Sequence, residues 1–599
     1  MKTKRFSLGF SYGYHDSAVC FLDDQGQIAF AAQEERFTRK KNDLAFPINS
    51  IHAGLKYLKI SPEQVQKIGY YEIPLEKISR ICLLNEINCY SLLLKRFAQD
   101  PCFLEPIKDI RNIFQYTEFT NYYPHHLSHA ASSIFLDEYN KGIAVVIDGV
   151  GEFDSTSIWS YEKGHINRVG GTHIPDSIGL LYAAITSFLD FRVNDGEYKV
   201  MGLAAYGHPE YSTKIRELVT FNDDVEYPFR IDQSYLDLTG STDLLYRKSL
   251  QDYLGIDELR LGGDQTYDDL SKNDFKKYSN LACSIQLVAK EMVHHVFRMA
   301  IKKYPNERIY YSGGVALNCS INKHLLKQFG DIRIQPASGD AGGAVGAAFL
   351  AHYGFESKNN TSTLFVSECI SNSQIEKKAQ NEIVYLGNDV SSKNAKQAID
   401  QKNLTNIKTY TSSDRMISEA ANDICNGKII GWVQGRMEWG PRSLGARSIL
   451  ASPVGLKTQN KINKAIKFRE LFRPFAPVML KSFYTKFVSD SELLEPLSAN
   501  SYMLSTVDVS KNAQQKFPAC VHTDKTARIQ IIDDKSDLKI ACLLRNIEML
   551  GQDPILLNTS FNLKGEPIVS TPEEAIGTFF HSGLDFLYLR NFRLSRESF

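Results

Sequence analysis

The run Pro124-His125-His126-Leu127-Ser128-His129-Ala130 carries a compact chemical signal. His125 and His129 are four positions apart, which on a helix stacks both imidazoles on one face within reach of a single metal ion. Two neutral imidazoles suit zinc, iron or nickel, and a carboxylate commonly completes such a site. The segment Ala144-Val145-Val146-Ile147-Asp148-Gly149-Val150-Gly151-Glu152 reads as a buried strand that ends in an aspartate on a glycine-rich turn. That is where α/β sheets place ligand-binding groups. A second glycine-rich loop with an aspartate follows in Ser338-Gly339-Asp340-Ala341-Gly342-Gly343. The alternative is an incidental pair on a surface helix of a chain with 14 histidines; the two aspartate loops weigh against it.

Two further groups of residues could bind anions. Glycine-rich turns follow strands at Ser11-Tyr12-Gly13-Tyr14-His15-Asp16, at 148–152, and at 312–318 with 338–343 close behind. Backbone N–H groups on such turns can face phosphate oxygens, and several together suggest a nucleotide held between two lobes. No P-loop pattern is present, and no G-x-G-x-x-G follows the first strand. Later, Arg436, Arg442 and Arg447 cluster around Gly440-Pro441. Lys464, Lys467, Arg469 and Arg473 fill the run 463–475, and Arg528 follows. Arginine forks grip phosphate or carboxylate bidentately, and lysine acts as a point charge. Neighbours Trp439, Pro441, Leu444, Phe472, Phe475 and Pro477 are too apolar for a plain solvated face, so a pocket for a polyanionic small molecule is expected. The polar turn Asn558-Thr559-Ser560-Phe561-Asn562 reads as a wall of that pocket.

These residues need elements to position them. The pattern predicts strands over 6–10, 18–22, 28–32, 143–148, 157–161, 308–312, 332–335, 428–433 and 555–557. It predicts helices over 48–58, 280–303 and 346–350, and mixed amphipathic helices up to about residue 427. The polar stretch 354–362 reads as an inter-domain linker, giving domains 1–355 and 364–599. Residues 75–120 read as helical and irregular, and there is no solenoid-type repeat.

At 599 residues roughly two to four domains are expected. Lys+Arg and Asp+Glu both number 69, so the net charge is zero and no electrostatic footprint for nucleic acid or a membrane surface is visible. The ten cysteines form no C-x-x-C pair, and several sit in apolar runs, as expected of reduced thiols in a cytoplasmic protein. Neither a secretory signal nor a membrane-spanning run is found.

Taken together, the motifs resemble a known family. They are Tyr14-His15-Asp16-Ser17-Ala18, Gln33-Glu34-Glu35-Arg36-Phe37-Thr38-Arg39-Lys40-Lys41, the His125 and Asp148 runs, and Gly196-Glu197-Tyr198-Lys199-Val200-Met201-Gly202-Leu203. They continue with Gly313-Gly314-Val315-Ala316-Leu317-Asn318-Cys319, Gly339-Asp340-Ala341-Gly342-Gly343, Gly435-Arg436-Met437-Glu438 and Gly440-Pro441-Arg442. Phe472-Arg473-Pro474-Phe475-Ala476-Pro477 and the 558–562 turn complete the set. Over nearly its whole length the chain resembles the O-carbamoyltransferases of the NodU/CmcH type, which act in nodulation-factor, cephamycin, aminoglycoside and saxitoxin-type biosynthesis. Departures are small: Ser443 for a usual Ala, Ala205 for Pro, and Trp439 for Phe.

The resemblance implies an α/β protein with an actin/Hsp70-like ATPase domain, similar to the threonylcarbamoyl-transferring proteins, followed by a YrdC-like α/β domain. It implies that the second domain makes carbamoyl-adenylate from carbamoyl phosphate and ATP, with Mg2+ accompanying ATP. The carbamoyl group then passes to a hydroxyl of a small-molecule acceptor in the first domain. The implied ligands of a divalent metal (iron first, zinc or manganese as alternatives) are His125, His129 and Asp340, with Asp148 as a fourth. His15 is the expected base, and Lys40 and Lys467 join it as expected catalytic residues. Asp16, Gly313, Gly314, Asn318, Arg436, Arg442, Lys467, Arg469, Arg473, Arg528, Asn558 and Ser560 are expected to bind nucleotide or carbamoyl phosphate. A homodimer is allowed, and neither nucleic acid nor membrane is an expected partner. Two other readings stay open: a threonylcarbamoyl-type tRNA-modifying transferase and a non-catalytic actin-like nucleotide sensor. Acceptor contacts would fall within 75–120 and 210–280, and the acceptor itself is not legible.

Overall fold

β-branched and aromatic runs broken by small polar turns form the opening strands. The computed structural model describes residues 4–84, 110, 113–114, 120–238, 244–262, 265–359, 366–371, 375, 377–467, 470, 472–473, 475–489 and 498–596. β1 (Phe6–Ser11), β2 (Ala18–Leu22) and β3 (Ile28–Gln33) make an antiparallel meander. β4 (Val65–Tyr70) pairs with β1 in parallel and β5 (Thr120–Tyr122) with β4, giving the order β3-β2-β1-β4-β5.

The same plan then recurs. β6 (Lys141–Ile147), β7 (Asp154–Glu162) and β8 (His165–His173) are a second meander. After a separate hairpin of β9 (Val219–Phe221) and β10 (Phe229–Ile231), β11 (Ile309–Ser312) pairs with β6 in parallel and β12 (Ile332–Ile334) with β11. The order β8-β7-β6-β11-β12 repeats the first sheet strand for strand and direction for direction. This duplicated half-fold is the actin/Hsp70-like layout.

Two helices lie between the sheets, and they cross over. Helix His125–Ile134 follows β5 but packs on β6, β7 and β11 of the second sheet. Helix Asp340–Tyr353 follows β12 but packs on β1, β2 and β4 of the first, and the two helices pack on each other. So close an approach needs small residues. A Cβ on Gly346 would lie 1.7 Å from the Ser128 carbonyl oxygen, and one on Gly9 would lie 2.0 Å from that of Ala344. The Gly/Ala-rich sequence after Asp340 is therefore what lets its helix sit against both neighbours.

The structure departs from the sequence reading at three points. The polar stretch 354–362 is not a linker throughout: β13 (Phe355–Asn359) pairs with β14 (Val366–Ser371), which pairs with β8 and extends the second sheet to seven strands. Ladder bonds, which a polar composition does not forbid, decide this. The chain folds as two compact units, one of Met1–Glu34, Asn42–Gln265 and Asp269–Ile383, the other of Glu35–Lys41, Thr266–Asp268 and Val384–Phe599. The helix expected over 280–303 begins at Lys272, where Ser271 caps it by accepting the Asp274 N–H at 3.1 Å. Its first two turns are largely polar and give no apolar period to read.

The second unit is built on an eight-stranded mixed sheet. Alternate residues face opposite sides. Trp432 and Leu450 pack with helices Ser413–Cys425 and Lys539–Met549, whereas Val433 and Ile449 pack with Ser392–Gln401 and Pro572–Phe580. Among the described residues no helix is long and apolar enough to cross a membrane.

Lys377, in the first unit, shows what burial does to a cation. Its ammonium donates to the Tyr139 carbonyl at 2.5 Å, lies 3.8 Å from Asp137 and sits 4.6 Å over the Tyr161 ring. Burial outweighs Asp137 and pulls its pKa down to about 8 from 10.5. The unfolded chain then holds more protons between those two values, so this group's contribution to stability rises with pH from about 8 to 10.5, by about 3 kcal/mol in all. Lys377→Met should remove that slope, seen as the difference between wild-type and variant denaturation midpoints across pH 8 to 9.5. Parallel pH profiles would contradict it.

Candidate functional site

The topology brings equivalent positions of the two halves together. The turns after β1 and β6 carry His15-Asp16 and Asp148, and the helices after β5 and β12 begin at His125 and Asp340. Ligand atoms of His125, His129, Asp148 and Asp340 all lie within 4.8 Å of one another. The Nε2 atoms of His125 and His129 are 3.0 Å apart. Asp148 Oδ2 lies 3.4 Å from His125 Nε2 and 3.1 Å from His129 Nε2, and Asp340 Oδ1 lies 3.5 and 3.7 Å from the same atoms. All four residues are buried or nearly so. His126, between the two, turns away: its Nδ1 meets Ser157 Oγ at 2.8 Å, and burial pulls its pKa down to about 3, so it stays neutral.

Asp148 and the histidine helix are held from behind. Asp148 Oδ1 accepts the N–H groups of Gly149 at 2.8 Å and Gly314 at 3.2 Å, leaving Oδ2 for the histidines. Ser312 Oγ donates to the His129 carbonyl at 2.8 Å, and Gln335 to that of Ser132 at 2.9 Å, tying the histidine helix to the second sheet.

Electrostatics follow from two carboxylates in a dry place. Burial opposes an imidazolium at His129, but hydrogen bonds and charge from Asp148 and Asp340 prevail and push its pKa up to about 9. Burial raises the Asp148 and Asp340 carboxyls, and the histidines around them more than reverse it, leaving Asp148 well below the ordinary range and Asp340 lowered. A divalent cation would take over from the histidine protons the balancing of these two buried carboxylates. The set fits a divalent metal of the iron, manganese or zinc kind.

His15 stands at the rim. Its Nδ1 meets Asp16 at 3.1 Å and its Nε2 lies 3.9 Å from Asp340 Oδ2. Burial works against its proton, but Asp340, Asp16 and Asp148 push its pKa up to about 10. Such a group becomes a base only when the carboxylates' charge is offset, as a divalent cation would do.

Other expected site residues of the first unit are engaged within the fold. Gly313 N donates to the Ser338 carbonyl at 2.9 Å, and Gly314 N serves Asp148, so neither amide is left for a phosphate. Asn318 caps helix Cys319–Phe329 and exchanges two hydrogen bonds with Gln286, at 3.0 and 3.2 Å. Lys40 is exposed, in the segment that belongs to the second unit.

In the second unit the strand register collects the cationic motifs at one sheet end. Ser448 pairs with Ser560, Ala476 with Asn558, and Val478 with Gln530, so the loops before 447, 476 and 530 meet the end of strand Ile555–Ser560. Asn558 donates to the Ser443 carbonyl at 3.1 Å and to Gln530 at 2.9 Å. Lys467, on a π-helical turn, donates to the Ser560 carbonyl, to Asn562 Oδ1 at 2.6 Å and to the Asn562 carbonyl at 3.0 Å. Arg442, next to Ser443, and Arg528, two residues before Gln530, are partly exposed. Arg473 lies 3.6 Å from Glu470, and Arg436 is bound to the carbonyls of Leu386 at 2.5 Å and Gly387 at 3.2 Å. Arg469 lies outside the described residues.

Sequence reasoning passed over several residues that shape this end. Buried Glu438 accepts the N–H groups of Leu444, Ala446 and Arg447 at 2.7 to 3.0 Å and so folds the 440–446 loop. Arg36 donates to the Gly440 carbonyl at 2.8 Å, and Arg39 to those of Pro567 and Ile568, both at 2.8 Å. The signal was present as charged residues inside the quoted motifs, but their partners are far away in sequence.

The first unit thus combines a duplicated half-fold with a two-histidine, two-aspartate centre, and the second is an α/β unit whose cationic motifs gather at one sheet end. The chain belongs to the carbamoyltransferase family: models of the carbamoyltransferase N-terminus and C-terminus match residues 6–349 and 421–596. It is 33% identical to the uncharacterized protein sll1178 of Synechocystis, over 99% of this chain and 97% of that one. It is 31% identical to nodulation protein NolNO of Sinorhizobium fredii, over 98% of this chain and 79% of that protein. Nodulation protein NolO of Bradyrhizobium diazoefficiens is 32% identical over 79% of each chain.

Proposed function

We propose that this carbamoyltransferase is an ATP-dependent O-carbamoyltransferase using carbamoyl phosphate. The observation that carries the reading is the buried quartet with His15 at its rim, in a chain of this family. In the second unit, water splits carbamoyl phosphate into carbamate and inorganic phosphate, and a carbamate oxygen then attacks the α-phosphorus of ATP and expels pyrophosphate, leaving carbamoyl-adenylate. Arg442, Arg528 and Arg473 supply the charge that such phosphates need, on a scaffold braced by Lys467 and Glu438. In the first unit, His15 takes the acceptor hydroxyl's proton, the oxygen attacks the carbamoyl carbon, and AMP leaves. A metal held by His125, His129, Asp148 and Asp340 would supply charge that steadies the phosphate. The free, buried thiols Cys20, Cys319 and Cys520 support a reducing, cytoplasmic setting.

The test is mass spectrometry of reactions containing carbamoyl phosphate, ATP and a panel of hydroxylated metabolites. AMP, pyrophosphate and a carbamoylated product are expected; ADP as the nucleotide product would sink the reading. Lys467→Ala should cut pyrophosphate release roughly ten- to hundredfold, the scale of one charge-assisted contact of about 1.5–3 kcal/mol. Unchanged release would remove Lys467 from the scheme.

A further inference from the structure

Glu152 closes the Asp148 turn and is buried, yet the chemistry above gives it no task. The histidine helix begins after Pro124 with no side-chain cap at that residue. The N–H of His125 is nevertheless satisfied, because both carboxylate oxygens of Glu152 lie 3.0 Å from it. Glu152 Oε1 also accepts the N–H of Ile73 at 2.8 Å, just before helix Pro74–Leu84. One carboxylate thus joins the Asp148 turn, the first residue of the ligand helix and the chain leaving β4.

The adjoining carbonyl extends the junction. Gly151 O accepts the Tyr14 hydroxyl at 3.1 Å and an N–H of Arg80, and Lys77 lies 3.8 Å over the Tyr14 ring. Tyr14 precedes His15, and its ring meets that of His125 edge-on at 5.7 Å. The Glu152 end of the turn therefore touches the supports of the rim histidine as well as those of the quartet.

We propose that Glu152 is a positioning residue for the metal quartet: it fixes the first turn of the histidine helix against the Asp148 turn, and so sets His125 relative to Asp148. The inference rests on the metal reading above. Residues that orient ligands typically govern metal affinity by about 10–100-fold.

The experiment uses Co2+ as the probe, followed by visible absorption during titration of the chelator-treated full-length chain. Glu152→Ala should bind Co2+ about 10–100-fold more weakly than wild type, with an altered ligand-field band and an unchanged far-ultraviolet spectrum. Glu152→Gln keeps one acceptor oxygen and should fall between the two. A purely structural contact would lower thermal stability without this graded change in affinity and band. Wild-type affinity and band in both variants overturn the inference alone. Failure of the wild-type chain to bind Co2+ overturns the metal reading and the inference with it. Should Glu152→Ala not fold, Glu152→Gln decides: weakened binding supports the role, and wild-type binding overturns it.

Discussion

Asp340→Ala is expected to strip the first unit of bound metal and to abolish carbamoyl transfer, with His125→Ala doing the same. Removing Asp340 leaves two imidazoles and one carboxylate, and it removes one of the two carboxylates that hold His129. It also takes away a carboxylate oxygen that lies 3.9 Å from His15 Nε2. The affinity lost should exceed the roughly 10–100-fold typical of residues that only orient a ligand. The measurement is metal content by mass spectrometry of the purified variants, beside product formation. Because Asp340 is only the first residue of its helix, and the Gly/Ala-rich remainder makes the packing contacts, the apo variant should keep its far-ultraviolet spectrum. Full metal and full activity in both variants would dismiss the quartet as a metal centre.

A fragment beginning at residue 364 or 384 should fold poorly, although it contains the whole eight-stranded sheet. The second unit includes Glu35–Lys41. From that segment Arg36, which is 2% exposed, reaches the Gly440 carbonyl, and Arg39 reaches Pro567, Ile568 and, at 3.4 Å, Glu574. Hydrogen bonds from charged donors contribute about 1.5–3 kcal/mol each, and a domain's entire stability is about 5–15 kcal/mol. The fragment should therefore melt without a cooperative transition, or far below the intact chain's second unit. In the full-length chain, the Arg36→Ala/Arg39→Ala double variant should lower the melting of that unit by several degrees. Circular dichroism and calorimetry report both. A fragment that melts as cooperatively as the intact chain would show that the segment is dispensable.

Local pattern carried the reading a long way. The strand Ala18–Leu22, an unbroken apolar run between polar turns, and the helix Ile48–Leu58 after Pro47 occur over the expected residues, because each is read from its own short stretch of chain. The histidine pair, with the two aspartate loops, was visible for a related reason: four-residue spacing on one helix and strand-end turns are short-range features. What stayed hidden depends on partners distant in sequence. Nothing near Gly314 announces that its amide belongs to Asp148, and nothing near Arg436 announces the carbonyls at 386 and 387. The polar stretch after Gly354 looked like a linker because strand pairing is made by backbone groups, to which composition is nearly blind. Glu152 and Glu438 stood in quoted motifs, but their work is done on N–H groups that a sequence does not locate.

The crossing of the two central helices has a consequence for how the centre can come apart. By sequence, the first half supplies the nitrogen donors, His125 and His129, and the second supplies the oxygen donors, Asp148 and Asp340. By packing, each half's helix covers the other half's sheet. The arrangement is the single-chain counterpart of a helix-swapped dimer. Cut between β5's helix and β6, each half would carry a helix it cannot seat and a sheet it cannot cover, and would keep only one chemical kind of donor. A metal bound there would couple its own occupancy to the docking of the halves, so that a chelator would loosen the docking without unfolding either sheet, and any force that parts the halves would weaken the hold on the metal.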